Sequence, residues 1–275
     1  MSKPDSLPLL ISSDELEPHL HQDNVLIVDM RGYDDYRHAH VPGAVHLDYA
    51  DIAIAAPPAL GALPPVEALA HDLTQLGLTP QQHVVAYDDR AGVNAARLFW
   101  TLSVIQHPGG FSLLNGGFLD WHETGKTTSN SQPTIEPCAY NFVYQSSTQA
   151  DSQYILNNLD NPNVILFDCR SVEEYTGAVA RAQRGGHIPG AINIDWLTGV
   201  DLNDKAKIKN TDIIRNTYET QGITPDKEII VYCHSHRRSA LTYFILKVLN
   251  YPSVRAYAGS WSEWGNIPTL PVDTI

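Results

Sequence analysis

The sequence of 275 residues contains few cysteines, few basic residues and no long apolar run. Its three cysteines form no Cys-X-X-Cys pair, and their odd number argues against a disulfide framework and against a zinc ribbon. Lysine and arginine together number 18 against 31 acidic residues, and the net charge of −13 argues against nucleic acid and anionic membrane surfaces as partners. No run could span a bilayer, and the apolar patch at residues 7–11, interrupted by Pro8, is too short for the core of a signal peptide. We therefore expect a protein of the reducing cytoplasm.

The chain consists of two similar halves. The segments that correspond in residue type and order are 25–31 with 164–170, 40–44 with 187–191, 84–88 with 229–233, and 116–121 with 259–264. The interval between the copies grows from 139 to 147 residues after the first segment, which indicates an insertion of about eight residues between Tyr175 and His187. Two copies are too few for a solenoid, so we predict two domains. The N-terminal domain is expected at residues 1–124, the C-terminal domain at 150–275, and a polar linker at 125–149 between them.

Short strands rich in valine, isoleucine and leucine alternate with helical segments in each half. Examples of the helical segments are residues 12–20, 66–76 and 240–249. This alternation predicts an α/β fold in which each domain has a mainly parallel sheet flanked by helices. Open sheets of this kind bind ligands at the carboxyl ends of their strands. The strand predicted at 229–232 ends directly before Cys233, which puts this cysteine at the expected ligand-binding edge.

Cys233 has the sequence surroundings of a reactive thiolate. It lies between a strand end and a helix start, where free backbone N–H groups and the helix dipole point at the sulfur. Arg237 and Arg238 add positive charge in the same loop. An ordinary thiol titrates near pH ~8.5, and each of these contacts favours the anion. We therefore expect a thiolate at neutral pH, and the alternative is a buried structural cysteine.

Four motifs of the second half resemble the rhodanese superfamily, and the likeness extends over both halves. The motifs are Asp168-Cys169-Arg170, residues 186–191, the strand and helix that flank Cys233, and residues 259–266. The active loop is similar to the Cys-Gln-Thr-His-His-Arg-Ser loop of bacterial tandem-domain thiosulfate sulfurtransferases, and here it reads Cys233-His234-Ser235-His236-Arg237-Arg238-Ser239. The two loops match at Cys233, His236, Arg238 and Ser239.

The resemblance implies two tandem rhodanese-like domains, of which only the C-terminal one is catalytic. Its cysteine, Cys233 here, carries a persulfide, and we expect the six residues from His234 to Ser239 to bind the substrate. In the N-terminal half, Asp88 occupies the position of this cysteine. A carboxylate cannot accept and release sulfane sulfur as a thiolate does, so we expect the N-terminal domain to be inactive.

The length and the charge of the loop favour transfer of sulfur from thiosulfate. Related dual-specificity phosphatases and arsenate reductases place an arginine six residues after the cysteine, whereas here that position is Ser239 and the arginine is Arg238. Mercaptopyruvate sulfurtransferases resemble this fold but carry a small, neutral loop. Arg237 and Arg238 suit the dianionic thiosulfate better, because two guanidinium groups can clamp its oxygens.

The expected reaction is a double displacement that uses no metal and no organic cofactor. Cys233 takes the outer sulfur of thiosulfate with release of sulfite, and then passes it to cyanide, a thiol or an acceptor protein. His234 and His236 lack the spacing of zinc ligands, so we expect no metal site. Three alternatives stay open: 3-mercaptopyruvate as the donor, a persulfide carrier that serves a partner protein, and a phosphatase-like enzyme.

Three residues outside the loop are candidate substrate contacts. Many two-domain relatives place an arginine just before the aromatic residue at Tyr175, where this chain has Glu174. Arg181 and Arg184, in the insertion, are the candidates to replace it, and solvated surface residues are the alternative. Trp196 is a candidate to line the cleft, with core packing as the alternative.

The pair Asp168 and Arg170 recurs as Asp29 and Arg31 in the half that lacks the cysteine. Because repetition in an inactive copy indicates a role in folding, we expect structural ion pairs or braces of the active loop rather than direct chemistry. Cys169 is expected to be buried and inert.

Overall fold

The computed structural model describes residues 7–274, which divide into two compact units. Unit 1 contains the described residues up to Ile52 together with Pro64–Tyr144 and Leu202–Lys207. Unit 2 contains the remainder, including Ala53–Leu63 from the first half of the sequence. The parts of the predicted domains at residues 1–6 and 275 lie outside the described residues.

The first half of the chain supplies the sheet of unit 1. Its strands within the described residues are β1 (Leu10–Ile11), β2 (Val25–Asp29), β3 (Val45–His46), β4 (Ile54–Ala56), β5 (Ala59–Ala62), β6 (His83–Tyr87) and β7 (Phe111–Leu114). The helices are α1 (Ser13–Leu16), α2 (Tyr33–His38), α3 (Val66–Gln75), α4 (Val93–Val104) and α5 (Gly117–Glu123), with 3-10 turns at Glu17–His19 and Tyr49–Asp51. Five parallel strands form the sheet in the order β1-β7-β6-β2-β3. Strands β4 and β5 pair as an antiparallel hairpin that belongs to unit 2.

The second half repeats this arrangement in unit 2. Its strands are β8 (Gln149–Ala150), β9 (Val164–Asp168), β10 (Ile192–Asn193), β11 (Val200–Asp201), β12 (Lys207–Ile208), β13 (Glu228–Tyr232) and β14 (Val254–Tyr257). The helices are α6 (Ser152–Leu156), α7 (Val172–Thr176), α8 (Thr211–Thr220), α9 (Arg238–Val248) and α10 (Ser260–Trp264), with a 3-10 turn at Trp196–Gly199. The sheet has the order β10-β9-β13-β14-β8, and all of its pairs are parallel. The predicted α/β fold with two mainly parallel sheets flanked by helices is therefore confirmed.

Strand β13 positions the candidate site because it lies in the middle of the sheet of unit 2. It pairs with β9 on one side and β14 on the other, and its residues Ile229–Tyr232 are fully buried. Helix α9 packs on β13 and β14 with an almost entirely buried set of side chains. It begins at Arg238, two residues before the predicted helical segment, so the end of the loop after Cys233 forms its first turn.

Residues 125–144, within the predicted linker, are assigned to unit 1 and contain no helix. Backbone hydrogen bonds hold them there: Ser129 pairs with His40, and the Cys138 N–H donates to the Thr74 carbonyl at 3.3 Å. The segment with the polar composition of a linker is therefore extended, and backbone hydrogen bonds attach it to unit 1. Among residues 7–274, no helix is both long enough and apolar enough to cross a membrane.

Candidate active site

Cys233 is the first residue after β13, at the carboxyl edge of the sheet, and it is 1% exposed. Its N–H donates to the hydroxyl of Ser260 at 3.3 Å, and the N–H of His236 donates to the same oxygen at 3.1 Å. The N–H groups of Trp261 and Ser262 in turn donate to the carbonyls of Cys233 and His234. The start of α10 therefore holds the loop in place. The bracing role of Ser260 was not predicted, although the residue lies in one of the repeated motifs.

The electrostatic surroundings of Cys233 favour its thiolate. Burial raises the energy of the anion, but the positive charge of Arg238 and hydrogen bonds from Ser239 and the Ser235 N–H outweigh it and lower the pKa of the thiol. By contrast, burial raises the pKa of Cys169 well above that of an ordinary thiol, and this side chain is fully buried. The structure thus distinguishes a cysteine whose surroundings favour the thiolate from one whose surroundings oppose it, and the two follow neighbouring strands.

Arg238 is held by an acidic residue that precedes the insertion. Its Nη1 donates to Glu174 Oε2 at 2.6 Å and its Nη2 donates to Glu174 Oε1 at 3.0 Å. The side chain of Glu174 is 4% exposed. Burial raises the pKa of this carboxyl group, but the charges of Arg238 and Arg181 outweigh burial, so the pKa is lower than that of an ordinary glutamate. The Nε of Arg181 lies 3.3 Å from Glu174 Oε1, but this arginine side chain is 60% exposed. Arg181 therefore reaches the site through Glu174.

The other loop residues fall into two groups. His236 and Ser239 are fully buried, and His236 Nδ1 lies 2.8 Å from the Ser239 hydroxyl. The pair supports the loop, and Ser239 also lowers the pKa of Cys233, while binding of substrate by either residue stays a prediction. His234, Ser235 and Arg237 are partly buried. Burial lowers the pKa of His234, so its ring is neutral at neutral pH, and its buried Nδ1 has no hydrogen-bond partner in the described part of the chain.

Arg184 has hydrogen-bond partners within the chain, and a contact of this residue with substrate stays a prediction. Its guanidinium donates to the carbonyls of four residues near the C-terminus, Trp264, Gly265, Ile267 and Leu270, at 2.5 to 3.3 Å. These bonds occupy all three of its nitrogens, so Arg184 fixes the end of the chain.

Trp196 lies at the same edge of the sheet as Cys233. Its N–H donates to the Cys169 carbonyl at 3.2 Å and its side chain is partly exposed, so lining of the cleft stays a prediction. No group of three or more histidine, cysteine, aspartate or glutamate side chains suited to a metal ion occurs among residues 7–274.

The hairpin of β4 and β5 contributes to the site although it comes from the first half of the sequence. The N–H of Leu60 donates to the Ser262 hydroxyl at 3.0 Å. Gly61 lies against the backbone of Ser235, where an added Cβ would be 2.1 Å from the carbonyl oxygen. No repeated motif includes this hairpin, so the sequence offered no signal for it.

In unit 1, Asp88 occupies the position of Cys233 with a different set of contacts. Its Oδ1 accepts from the N–H groups of Arg90 and Gly92 at 2.7 and 2.8 Å, and its Oδ2 accepts from Asn94 and Ala95 at 2.7 and 3.0 Å. The carboxylate itself therefore fills the ring of loop amides. Burial raises its pKa despite these four bonds. A cavity of about 390 Å³ adjoins Asp88, and none of the described residues that line it is a cysteine.

The aspartate and arginine pairs form in both units. Arg170 Nη2 lies 2.6 Å from Asp168 Oδ2, and Arg31 Nη2 lies 2.6 Å from Asp29 Oδ2. Each arginine also donates to a carbonyl, that of Gly186 for Arg170 and that of Ala39 for Arg31. All four side chains are buried. Because the pair is equally complete beside Asp88, it belongs to the fold rather than to the reaction.

Comparison with known proteins agrees with this geometry. The family profile described as rhodanese-like domain matches residues 12–124 and 151–267. The chain is 38% identical to a thiosulfate sulfurtransferase of Azotobacter vinelandii over 268 residues, which cover 98% of each chain. A thiosulfate sulfurtransferase of Pseudomonas aeruginosa is 36% identical over 99% of this chain and 100% of its own length. The sulfur carrier protein TtuD of Thermus thermophilus is 33% identical over 96% of each chain. Two matches to one domain family, together with relatives that align over nearly the whole length, show that this chain belongs to the rhodanese family.

Proposed function

We propose that this protein is a thiosulfate sulfurtransferase that carries sulfane sulfur on Cys233. The observation that carries the proposal is the environment of the Cys233 sulfur, which receives loop hydrogen bonds and the charge of Arg238 and has a lowered pKa. Such a sulfur is nucleophilic at neutral pH and can hold a persulfide anion. The similarity to two thiosulfate sulfurtransferases over nearly the full length supports the same donor.

The proposed reaction proceeds in two displacements. The Cys233 thiolate attacks the outer sulfur of thiosulfate, so a new S–S bond forms at Cys233 while the S–S bond of thiosulfate breaks. The electron pair of the broken bond leaves with sulfite. An acceptor such as cyanide then attacks the outer sulfur of the persulfide, which forms thiocyanate and restores the thiolate.

The loop assists both steps through charge and hydrogen bonds. The charge of Arg238 stabilises the anionic sulfur, and we assign Arg237, the second cation of the loop, to the sulfonate oxygens of the donor. The hydroxyl of Ser239 and the N–H groups of the loop stabilise the negative charge on the sulfur in each intermediate. We assign no metal or organic cofactor to this sequence of steps, because in each step the attacking group forms one new bond to sulfur as one S–S bond breaks.

We further propose that catalysis belongs to the C-terminal domain, residues 150–275. The N-terminal domain, residues 1–124, carries Asp88 in place of the cysteine, and the Asp88 oxygens are already saturated by loop amides. A reducing cytoplasm remains our prediction for the compartment, in agreement with three cysteines that are all free of disulfides.

A second candidate function is that of a persulfide carrier. The similarity to a sulfur carrier protein favours it, and so does the burial of Cys233, which would protect a bound sulfur from small acceptors. A carrier would form the same Cys233 persulfide but would turn over slowly with free thiosulfate and cyanide. It would need a protein as sulfur donor or acceptor.

The test is thiocyanate formation from cyanide, with thiosulfate or 3-mercaptopyruvate as the donor. We expect turnover with thiosulfate, its loss in Cys233→Ala, and full activity in the matched control Cys138→Ser. A preference for 3-mercaptopyruvate would contradict the assignment of thiosulfate as the donor but would leave the assignment of Cys233 as the nucleophile unchanged. No turnover with either donor would favour the carrier, and Cys233-dependent hydrolysis of a chromogenic phosphate ester would favour a phosphatase.

A further inference from the structure

We propose that Glu174 is a positioning residue for the transfer reaction, which acts by holding the guanidinium of Arg238 against the sulfur of Cys233. The inference rests on the proposed function, since Arg238 is assigned there to stabilise the thiolate and the persulfide. Glu174 stands where many relatives have an arginine, so its role does not follow from the family resemblance.

The first observation is the geometry of the pair. Both oxygens of Glu174 accept from Arg238, at 2.6 and 3.0 Å, which is a bidentate arrangement that fixes the plane of the guanidinium. The positive charge of the same guanidinium acts on Cys233 and lowers the pKa of its thiol. Arg238 is thus anchored on one side and faces the nucleophile on the other. Without the anchor, an arginine side chain would have many rotamers available and would lie near the sulfur only part of the time.

The second observation is that Glu174 is itself held rigidly. It lies in helix α7, where its N–H donates to the capping hydroxyl of Ser171 at 3.4 Å. The next residue, Tyr175, stacks on the ring of His187 at 3.7 Å and donates its hydroxyl to the Ala191 carbonyl at 2.8 Å. The position of the carboxylate is therefore set by the packing of the helix.

The third observation is that the duplicated chain provides an internal comparison. Tyr175 corresponds to Tyr36, which stacks on His40 in the same way, so Glu174 corresponds to Asp35. The position of Arg238 corresponds to Val93, which cannot form an ion pair, and Asp35 is exposed. The fold of the first half therefore forms without this pair.

The distribution of acidic and basic pairs between the two halves separates folding from function. The buried pairs of Asp168 with Arg170 and of Asp29 with Arg31 occur in both halves, as expected for a folding role. The pair of Glu174 with Arg238 occurs only beside the cysteine. Both halves have the same sheet, but the pair is found in the half that has the cysteine. This is the distribution expected of a residue that serves the reaction.

Replacing Glu174 with a neutral residue distinguishes two roles for its carboxylate, because they predict opposite changes in the pKa of the Cys233 thiol. If Glu174 were only a nearby negative charge, its removal would make the Cys233 thiolate easier to form and would lower the thiol pKa. If it positions Arg238, its removal frees the guanidinium and the pKa rises. The other charged or titratable groups near this pair include Arg170, Arg181, Glu173, His234 and Cys169, and none of them is changed by the substitution.

The experiment compares Glu174→Gln with Glu173→Gln, its neighbour in the same helix, which is exposed. The pH dependence of Cys233 alkylation by iodoacetamide is measured in both, together with kcat and KM for thiosulfate. We expect Glu174→Gln to raise the alkylation midpoint by about one pH unit and to reduce kcat by about tenfold or more. Glu173→Gln should behave as the unmodified protein does.

A double substitution tests whether Glu174 acts through Arg238. In an Arg238→Gln background, Glu174→Gln should cause no further change in the midpoint or in kcat. An unchanged or lowered midpoint in the single variant would overturn the proposal, as would additive losses in the double variant. If Glu174→Gln fails to fold, Glu174→Asp, which keeps the charge but shortens the side chain, should show a smaller shift in the same direction.

The alkylation measurement needs no sulfur donor. A raised midpoint in a protein that does not use thiosulfate would therefore overturn the proposed function and leave the role of Glu174 intact. Turnover with thiosulfate together with an unchanged alkylation midpoint in Glu174→Gln would support the proposed function and overturn the role of Glu174.

Discussion

Gly61 lies in contact with the carbonyl group of Ser235, so close that an added Cβ would be 2.1 Å from the oxygen and 2.7 Å from the carbon. Both of these atoms belong to the backbone, so neither can move aside by a change of rotamer. Ser235 is the second residue after Cys233, and its N–H is one of the groups that stabilise the thiolate. The absence of a side chain at Gly61 therefore bears directly on the geometry of the active loop.

We expect Gly61→Ala to reduce sulfur transfer by about 100-fold, because a displacement of the loop by about 1 Å disturbs the alignment of the nucleophile. The matched control is Leu60→Ala, since Leu60 is 46% exposed and uses only its backbone to contact Ser262. Thiocyanate formation measures the effect, and circular dichroism checks that both variants are folded. Full activity in folded Gly61→Ala would show that the hairpin does not set the loop geometry.

The thiol of Cys233 should react as a thiolate at neutral pH. Burial opposes ionisation, but Arg238, Ser239 and Ser235 lower the pKa, so the midpoint of alkylation should lie below that of an ordinary thiol. Cys169, whose pKa burial raises, should react only after unfolding. Mass spectrometry of protein treated with iodoacetamide at several pH values distinguishes the two sites. A midpoint for Cys233 at or above about 8.5, the ordinary thiol value, would contradict the thiolate assignment.

Asp88 should contribute to stability and not to turnover. Asp88→Ala leaves four N–H groups without their acceptor, two of them buried, so we expect the free energy of unfolding to fall by about 2–4 kcal/mol. The thermal unfolding midpoint measures this change, and thiocyanate formation by the folded fraction should match the unmodified protein. A loss of activity at unchanged stability would mean that the N-terminal domain takes part in the reaction.

The buried arginines of the two repeats should be equivalent in folding. Arg31→Met leaves Asp29 buried without its partner, and Arg170→Met does the same to Asp168, so each should lower stability by about 3–5 kcal/mol. Chemical denaturation followed by tryptophan fluorescence compares them. A stable but inactive Arg170→Met would assign that arginine to catalysis instead.

Those features of the molecule that depend on local sequence were predictable. The strand before Cys233 follows from consecutive buried apolar residues, and the helix after it follows from apolar residues at helical spacing. Because the two halves have matching segments, the same strands and helices are predicted in both. These local patterns predict the α/β fold without any tertiary contact, but they do not predict roles that depend on where a long side chain ends.

Arg184 and Glu174 illustrate that limit. Both lie near the insertion, and the sequence allowed either Arg181 or Arg184 to contact the substrate. In the structure, Arg184 bonds to carbonyls about 80 residues further along the chain, with separations of 80 to 86. Glu174 meets Arg238 across a separation of 64. The charge of a residue does not predict which distant group it will bond, because carbonyl and carboxylate groups at many positions can accept from the same guanidinium.

By itself, the sequence determined the family, the doubled α/β fold, the place of Cys233 between a strand and a helix, and the presence of Asp88 at the matching place in the other copy. These follow from residue types at short, regular spacings, which local hydrogen bonding and burial translate directly into strands, helices and the turn between them. Only the tertiary structure decided that Glu174 holds Arg238, that Arg184 fixes the C-terminal segment, and that Gly61 lies against the active loop. These contacts join residues far apart in the chain, and they exist because the packing of the sheets and helices brings their backbones together.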